Sequence, residues 1–454
     1  MTEEIDLIVR GAKVVTPSDE TEIDLYIHDG KVIGLGRLDL SSREVVNGRG
    51  LFLMPGMVDA HVHFMDPGDS TREDFPTGSA AAAIAGVTTV IEHSHGSRVT
   101  NGKTLQKKVE YLKDRSVIDY ALGAHFSTNG LEEIQEVLQE GAAFIKVFTC
   151  TTHGVDAVEN GVLFRAMKRF ASEGALYLVH AEDESLTRVA EKELRHAGRE
   201  DGMVIPEWRN LLAEQVAVTT VGQLTKASGA NVVVAHCSHP TIVDIVSQYR
   251  ARGARIRAEG CPQYLYLRED EIMQLGAFRK FTPPARALRS EDLEAMWERL
   301  RNGSISYLAS DHAPSTRPQK TEGSIWDVHF GLPGIDTTFP VMLDAVCRGA
   351  LSLSRLVELY ASMPARIYGF YPQKGTLQVG SDADFILVDV KGTRVIEDKD
   401  VRSKSGWTPF AGREVKGRVV ATYLRGKKVA GEGRCLASPG TGKFMPRRID
   451  QKTA

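Results

Sequence analysis

The chemistry of this chain begins with two histidines spaced two apart. In Pro55-Gly56-Met57-Val58-Asp59-Ala60-His61-Val62-His63 an apolar run ends in a His-x-His pair. On a β-strand alternate side chains share a face, so His61 and His63 would project together while Val62 turns to the layer behind. Two imidazoles aimed at one point suit a divalent ion such as zinc, whose nitrogen ligands lie about 2.0–2.1 Å away. For an isolated pair the plainer reading, two hydrogen-bonded histidines ending a buried strand, would prevail. The weight therefore rests on what else the chain sends to the same place.

Four further apolar runs carry polar residues. Phe144-Ile145-Lys146-Val147-Phe148 encloses a lysine, and three others end Leu178-Val179-His180, Val234-Ala235-His236 and Ser310-Asp311-His312. Each alone is weak: a terminal histidine is commonly a satisfied core residue, and a lone lysine can reach the surface along its stem. Five such sets, at the same end of five strands, are hard to dismiss. Lys146 is the informative member, because an ammonium buried among imidazoles and metal ions would be poorly solvated, and burial lowers a lysine's pKa.

The elements that must position these residues alternate. Short apolar runs near 53–61, 87–93, 118–126, 143–149, 175–180, 231–236, 254–259 and 304–310 read as strands. Helical stretches over 74–85, 103–114, 130–140, 159–173, 209–229, 239–252 and 289–302 separate them. Ser354 to Ala361 reads as a further helix, and Pro364 opens a short one behind it. Eight strand–helix units over about 320 residues predict a (β/α)8 barrel, a TIM barrel, whose strand C-termini meet at one mouth. A doubly wound open sheet is the alternative, but no Gly-x-Gly-x-x-Gly follows the first strand of the repeat. Residues 5–53 instead alternate as β-structure, with a hairpin signal at Asp29-Gly30. The β pattern returns after 374, in Phe385-Ile386-Leu387-Val388 and Gly417-Arg418-Val419-Val420-Ala421. The expected division is 1–53 and 375–435 as two parts of a small β-sandwich, 54–374 as the barrel, and 436–454 as a tail. That tail is expected to be an extended or partly disordered arm.

Composition excludes several classes. The 454 residues carry a formal net charge of −3, so there is no basic field for nucleic acid and no polybasic membrane patch. No apolar run approaches the roughly 20 residues of a membrane helix, and the acidic start lacks the order of a signal peptide. Five scattered cysteines form no C-x-x-C pair, which indicates neither a disulfide framework nor a cysteine zinc site. A reduced, cytoplasmic enzyme is the expectation.

Taken together, His61-Val62-His63, Lys146, His180-Ala181-Glu182-Asp183, Ala235-His236-Cys237-Ser238 and Ser310-Asp311-His312-Ala313-Pro314 resemble one group. It is the cyclic-amide branch of the amidohydrolase superfamily, which contains dihydroorotase, allantoinase and hydantoinase/dihydropyrimidinase. Asp66-Pro67-Gly68, Cys261-Pro262-Gln263-Tyr264, Gly331-Leu332-Pro333-Gly334 and Pro409-Phe410-Ala411-Gly412 extend the resemblance over almost the whole chain. It implies two divalent metal ions, zinc foremost, with manganese or another ion as the alternative. His61, His63 and Asp311 would bind the more buried ion, His180 and His236 the more exposed one. Lys146, carboxylated by carbon dioxide, would bridge them. Asp311 would also move the proton between the attacking water and the leaving nitrogen. Relatives imply a homo-oligomer, a dimer or tetramer.

The substrate is less legible. The resemblance implies an arginine two residues after His63 and an asparagine after the second strand for a dihydroorotase. Here those places hold Met65 and Glu92-His93-Ser94-His95-Gly96, which argues against dihydroorotate. The oxyanion tyrosine of hydantoinases would fall at Thr151. His95, Thr152 and His153 are therefore candidates to donate to a substrate carbonyl, with solvated loop residues as the equally open alternative. Thr282 falls where relatives hold the cyclic amide. Arg72 reads as a surface salt bridge, His125 as a pocket wall, and His239 and His312 as supporting residues. The expected activity is hydrolysis of a cyclic amide: a hydantoin, dihydropyrimidine, allantoin-like ureide or cyclic imide. A mononuclear deaminase on the same barrel is disfavoured because Asp183 stands where those enzymes place a glutamate. A non-catalytic assembly protein is disfavoured because every expected ligand is present.

Overall fold

Gly56 divides the first apolar run in two. In the computed structural model, which describes residues 4–128 and 130–448, Phe52–Pro55 and Met57–Val62 belong to different sheets. A Cβ on Gly56 would lie 2.1 Å from the Thr88 hydroxyl, so the crossing between sheets needs a residue without a side chain. The expected single strand over 53–61 is thus two strands.

Met57–Val62 is the first of eight barrel strands. Val87–Glu92 is the second, and the third is broken into Asp119–Leu122 and Ala124–His125. Ile145–Phe148, Leu176–His180, Asn231–Val234, Ile256–Gly260 and Ile305–Leu308 complete the set, all with parallel neighbours. The break falls at Gly123, where a Cβ would lie 2.3 Å from the Phe144 ring. The first half pairs with the second strand and the other half with the fourth, so the break links two otherwise separate sheets. At the other seam, His63 N–H donates to His312 O at 2.8 Å, beside a parallel bridge between Val62 and His312. The barrel closes with both seams at the mouth.

Alternation along the strands divides the core. Leu176 and Leu178 pack inward with Val233, Ala235, Phe144 and Tyr307, while Tyr177 and Val179 face the helices. His180 continues the inward series of its strand, and Lys146 that of Phe144. All seven expected helices between strands form, within one to three residues of their expected ends. Two helices of ten or more residues went unread. Glu184–His196 fully buries only Thr187, with Ala190 and Leu194 half-buried against Val204, Ile205 and Trp208; Asp183 caps it, its Oδ1 accepting from Leu186 N–H at 2.9 Å. Thr338–Cys347 is apolar nearly all round because it lies between barrel and sandwich, where Lys416 N–H donates to Asp344 Oδ1 at 2.9 Å.

Among the described residues, nine strands from both ends of the chain form one sheet outside the barrel. Phe52–Pro55 joins the halves, running antiparallel to Phe385–Val395 and parallel to Ile5–Val15. The Asp29-Gly30 turn has both residues at positive φ, 48° and 72°, as a type I′ hairpin requires. The tail is ordered as far as residue 448: Met445 N–H donates to Tyr120 O at 2.7 Å and Arg447 N–H to Gly141 O at 2.9 Å. Residues 449–454 lie outside the described part. Among the described residues no helix is long and apolar enough to cross a membrane.

One buried cation ties barrel, sandwich and tail together. Lys374 has no exposed side-chain surface and contacts Asp119 at the start of the third strand, Asp382 at 2.9 Å and Asp384 at 2.6 Å. Asp119 also pairs with Arg425 and accepts from Lys443 N–H at 2.8 Å. Removing the ammonium would leave three carboxylates facing one another without it. Lys374→Met should therefore destabilise the protein by about 3–5 kcal/mol, read as a lowered midpoint of chemical unfolding. A loss below about 1 kcal/mol, the range of an exposed pair, would refute this role.

Candidate metal centre

Three side chains form a tripod at the barrel mouth. His61 Nε2 and His63 Nε2 lie 3.3 and 3.4 Å from the same oxygen, Asp311 Oδ1. Two ligands about 2.05 Å from one tetrahedral ion would be about 3.3 Å apart, so this spacing fits a zinc-sized ion. The opposite edge of each ring is fixed. His61 Nδ1–H donates to Glu259 Oε1 at 2.7 Å, and His63 Nδ1–H to His93 O at 2.7 Å. Each bond leaves the Nε2 lone pair directed at Asp311. Glu259 also accepts from His236 N–H at 2.8 Å and from the Tyr307 hydroxyl at 2.5 Å, and burial pushes its carboxyl up to about 7.

A second pair converges beside the first. His180 Nδ1 lies 3.1 Å from His236 Nε2, and His180 Nε2–H donates to Glu182 Oε2 at 2.7 Å. That carboxylate also accepts from Thr282 Oγ1 at 2.8 Å and faces Arg209 Nη1 at 3.5 Å. Burial alone would raise Glu182, but Arg209 and the His180 hydrogen bond outweigh it and hold the carboxyl at about 2. His236 needs a backbone device as well. Its strand alternates inward at Val233 and Ala235, so His236 would follow Val234 outward; its φ of 37° re-aims the ring.

Lys146 is 2 % exposed and shares the pocket lined by these five residues. None of the ion pairs among the described residues includes it. Burial lowers its pKa to about 8, against the pull of Glu259 and Asp311. A lysine that gives up its proton more readily than usual, among convergent lone pairs, is what carbamate formation needs. The donor set of imidazoles, a carboxylate and a lysine fits divalent ions on the observed spacing.

The cavity leading outward, of about 480 Å³, is lined by Met65, Arg72, His95, His153, Lys280, Trp326 and Phe330 among others. Four non-glycine residues at this mouth adopt positive φ: Met65, His153, His236 and Asp311, at 57°, 53°, 37° and 49°. Such strain persists only where surrounding structure enforces it, and it gathers at the mouth. The structure brings Met65, His95, His153 and Thr282 to the pocket. His95 and His153 stack with centroids 4.6 Å apart and planes 6° from parallel. Thr152 is buried in a short turn bridged to Val155 and is not among the cavity-lining residues. Thr282 spends its hydroxyl on Glu182.

Arg72 corrects the sequence reading. It is 9 % exposed, its Nε–H donates to Pro314 O at 2.9 Å, and it faces the cavity instead of forming a surface salt bridge. Burial lowers its pKa to about 10. His125 is also corrected: it lies behind His95 and does not line the cavity. His239 caps the helix Pro240–Ala251, and His312 Nδ1 accepts from Gly334 and Ile335 N–H at 3.1 and 3.2 Å. Glu182, Glu259 and Arg209 were missed as supporting residues. Glu182 had a signal, lying two residues past a strand-end histidine, and Glu259 is an acid inside an apolar strand; Arg209 had none.

The model of the amidohydrolase family matches residues 52–429. The chain is 34 % identical over 453 residues to an L-hydantoinase of Paenarthrobacter aurescens, covering 98 % of each. It is 32 % identical over 450 residues to an allantoinase of Rubrobacter xylanophilus, again covering 98 % of each. Among solved structures, L-hydantoinase (dihydropyrimidinase) from Arthrobacter aurescens superposes with a TM-score of 0.93 at 33 % identity, covering 98 % of this chain and 100 % of that one. A dihydropyrimidinase from Brevibacillus agri gives 0.91 at 30 % identity, covering 97 % and 98 %. The family is metal-dependent, and a histidine and aspartate cluster able to hold an ion is present here. The chain belongs to the amidohydrolase family, in its cyclic-amidohydrolase branch.

Proposed function

We propose that this protein hydrolyses the ring C–N bond of a small cyclic amide: a hydantoin, dihydropyrimidine, allantoin-like ureide or cyclic imide. The observation that carries this is the convergence of two ligand sets on one buried lysine. His61, His63 and Asp311 would hold one divalent ion, His180 and His236 a second, and carboxylated Lys146 would bridge them; zinc is the ion this donor set suits first. When bound, such a pair supplies Lewis acidity and a water of lowered pKa.

The remaining chemistry belongs to the chain. Asp311 uses Oδ1 toward the two histidines, which leaves Oδ2 to take a proton from the attacking water and return it to the departing ring nitrogen. Glu182 and Glu259 hold the imidazoles in register through the reaction. Met65, Trp326 and Phe330 offer an apolar wall for a ring substituent, while Arg72 supplies the cationic donor for a ring carbonyl or an ionised imide. Asp183 caps a helix, which supports hydrolysis of a ring over the deaminase reading, since its carboxylate is already engaged.

Asp311→Asn should lower kcat by about 10²–10⁴-fold, the range for loss of a positioned acid–base group, with an unchanged near-ultraviolet spectrum. Lys146→Ala should abolish activity and deplete bound metal, and short carboxylic acids should restore part of both. Unchanged metal content with no rescue would refute the bridging role. On substrate, a panel of hydantoins, dihydrouracil, allantoin, succinimide, phthalimide and dihydroorotate should show turnover of a neutral ring and little of dihydroorotate. Met65→Arg should raise the dihydroorotate rate; efficient turnover by the parent would overturn the exclusion.

A further inference from the structure

The proposed centre leaves a second His-x-His without a role. His93 and His95 follow the second barrel strand, and His125 ends the third. Their rings form a near-equilateral triangle: centroids are 5.9 Å apart for His93–His95, 5.9 Å for His93–His125 and 5.8 Å for His95–His125. The rings stand edge to face, with interplanar angles of 76°, 66° and 77°. One potential ligand atom from each lies within 4.8 Å of the others. Three imidazoles on one tetrahedral ion would have centroids about 5.2 Å apart, so the triangle needs to contract by roughly 0.6 Å. The His61–His63 pair already sits at 5.2 Å.

The hydrogen-bond inventory points the same way. Both ring nitrogens of His93, both of His125 and Nδ1 of His95 are buried without a partner. Five orphaned imidazole nitrogens in one place are unusual, because buried polar atoms are normally satisfied. His93 also approaches His61 and His63, at 4.8 and 4.3 Å between centroids, but those rings are tied to Glu259 and the His93 carbonyl and share Asp311. Of the cations near these rings, which include Lys146 and Arg98, Lys108 is paired with Glu92 at 2.6 Å.

We propose that His93, His95 and His125 bind a further divalent ion of the zinc class, separate from the centre that holds Lys146. Imidazole-only sites suit zinc, copper and nickel over magnesium or calcium. Three protein ligands leave a position for water or an anionic group. His95 lines the cavity beside Met65 and stacks on His153, so that position lies at the edge of the substrate chamber.

The test is metal counting on the full-length enzyme, stripped with a chelator and reconstituted with Zn²⁺, for the parent, His125→Asn and His95→Asn. Each variant is expected to bind one equivalent fewer than the parent, three falling to two, and zinc-edge anomalous scattering should place the missing ion between the three rings. His95 sits on a half-exposed loop, so His95→Asn keeps the test open if His125→Asn does not fold. Equal stoichiometry in parent and variants overturns the proposal. Loss of more than one equivalent in both variants also overturns it, because the rings would then be supporting the first centre. A parent count of two that falls to one overturns the proposal unless anomalous scattering places the lost ion between the three rings, in which case the triad stands and the paired centre around Lys146 does not.

Discussion

The site depends on lone pairs that are held pointing at one another. A neutral imidazole has one donor and one acceptor, and a partner on one ring nitrogen fixes the direction of the other's lone pair. Here Glu259 occupies His61, the His93 carbonyl occupies His63, and Glu182 occupies His180. Those partners are in turn fixed by Tyr307, Thr282 and Arg209. His93 and His125 lack such partners, which is what singles them out.

Closure of the barrel supplies the rest of the constraint. The seam between Val62 and His312 sets the first strand beside the eighth, and so sets His61 and His63 beside Asp311. The other seam turns on Gly123, immediately before Ala124–His125. At the opposite end, Lys374 and its carboxylates lock the barrel floor to the sandwich and the tail. The mouth therefore collects backbone strain while the floor collects ion pairs. Strained residues such as His236 and Asp311 hold their conformations because both ends of the strands are fixed.

The substrate chamber combines opposite demands. Met65 and Phe330 make it apolar, while Arg72 and Lys280 bring positive charge from outside the strand ends. Lys280 is engaged by the carbonyls of Ile325 and Val328, so it fixes the loop carrying Trp326 and Phe330. Arg72 donates its Nε–H to Pro314 O and lines the cavity. A small ring with a polar edge and an apolar face matches that wall.

The sequence by itself determined the strand–helix alternation, the two-part sandwich and the inward places of Lys146 and His180 on their strands. These follow from period-two and helical patterning and from turn residues such as Asp29-Gly30, which are local properties of the chain. Helix Glu184–His196 was not read although Leu186, Ala190 and Leu194 recur four apart, and Thr338–Cys347 escaped because it buries nearly everything and leaves no single stripe. Tertiary structure alone decided which residues meet. Arg72 lies 242 positions from its partner Pro314, and Glu259 lies 198 from His61. Spacing in the chain cannot encode such contacts, since they exist only once the barrel closes. The same closure decides that His95 and His153 face the cavity, that Thr152 does not, and that His125 stands behind them beside His93.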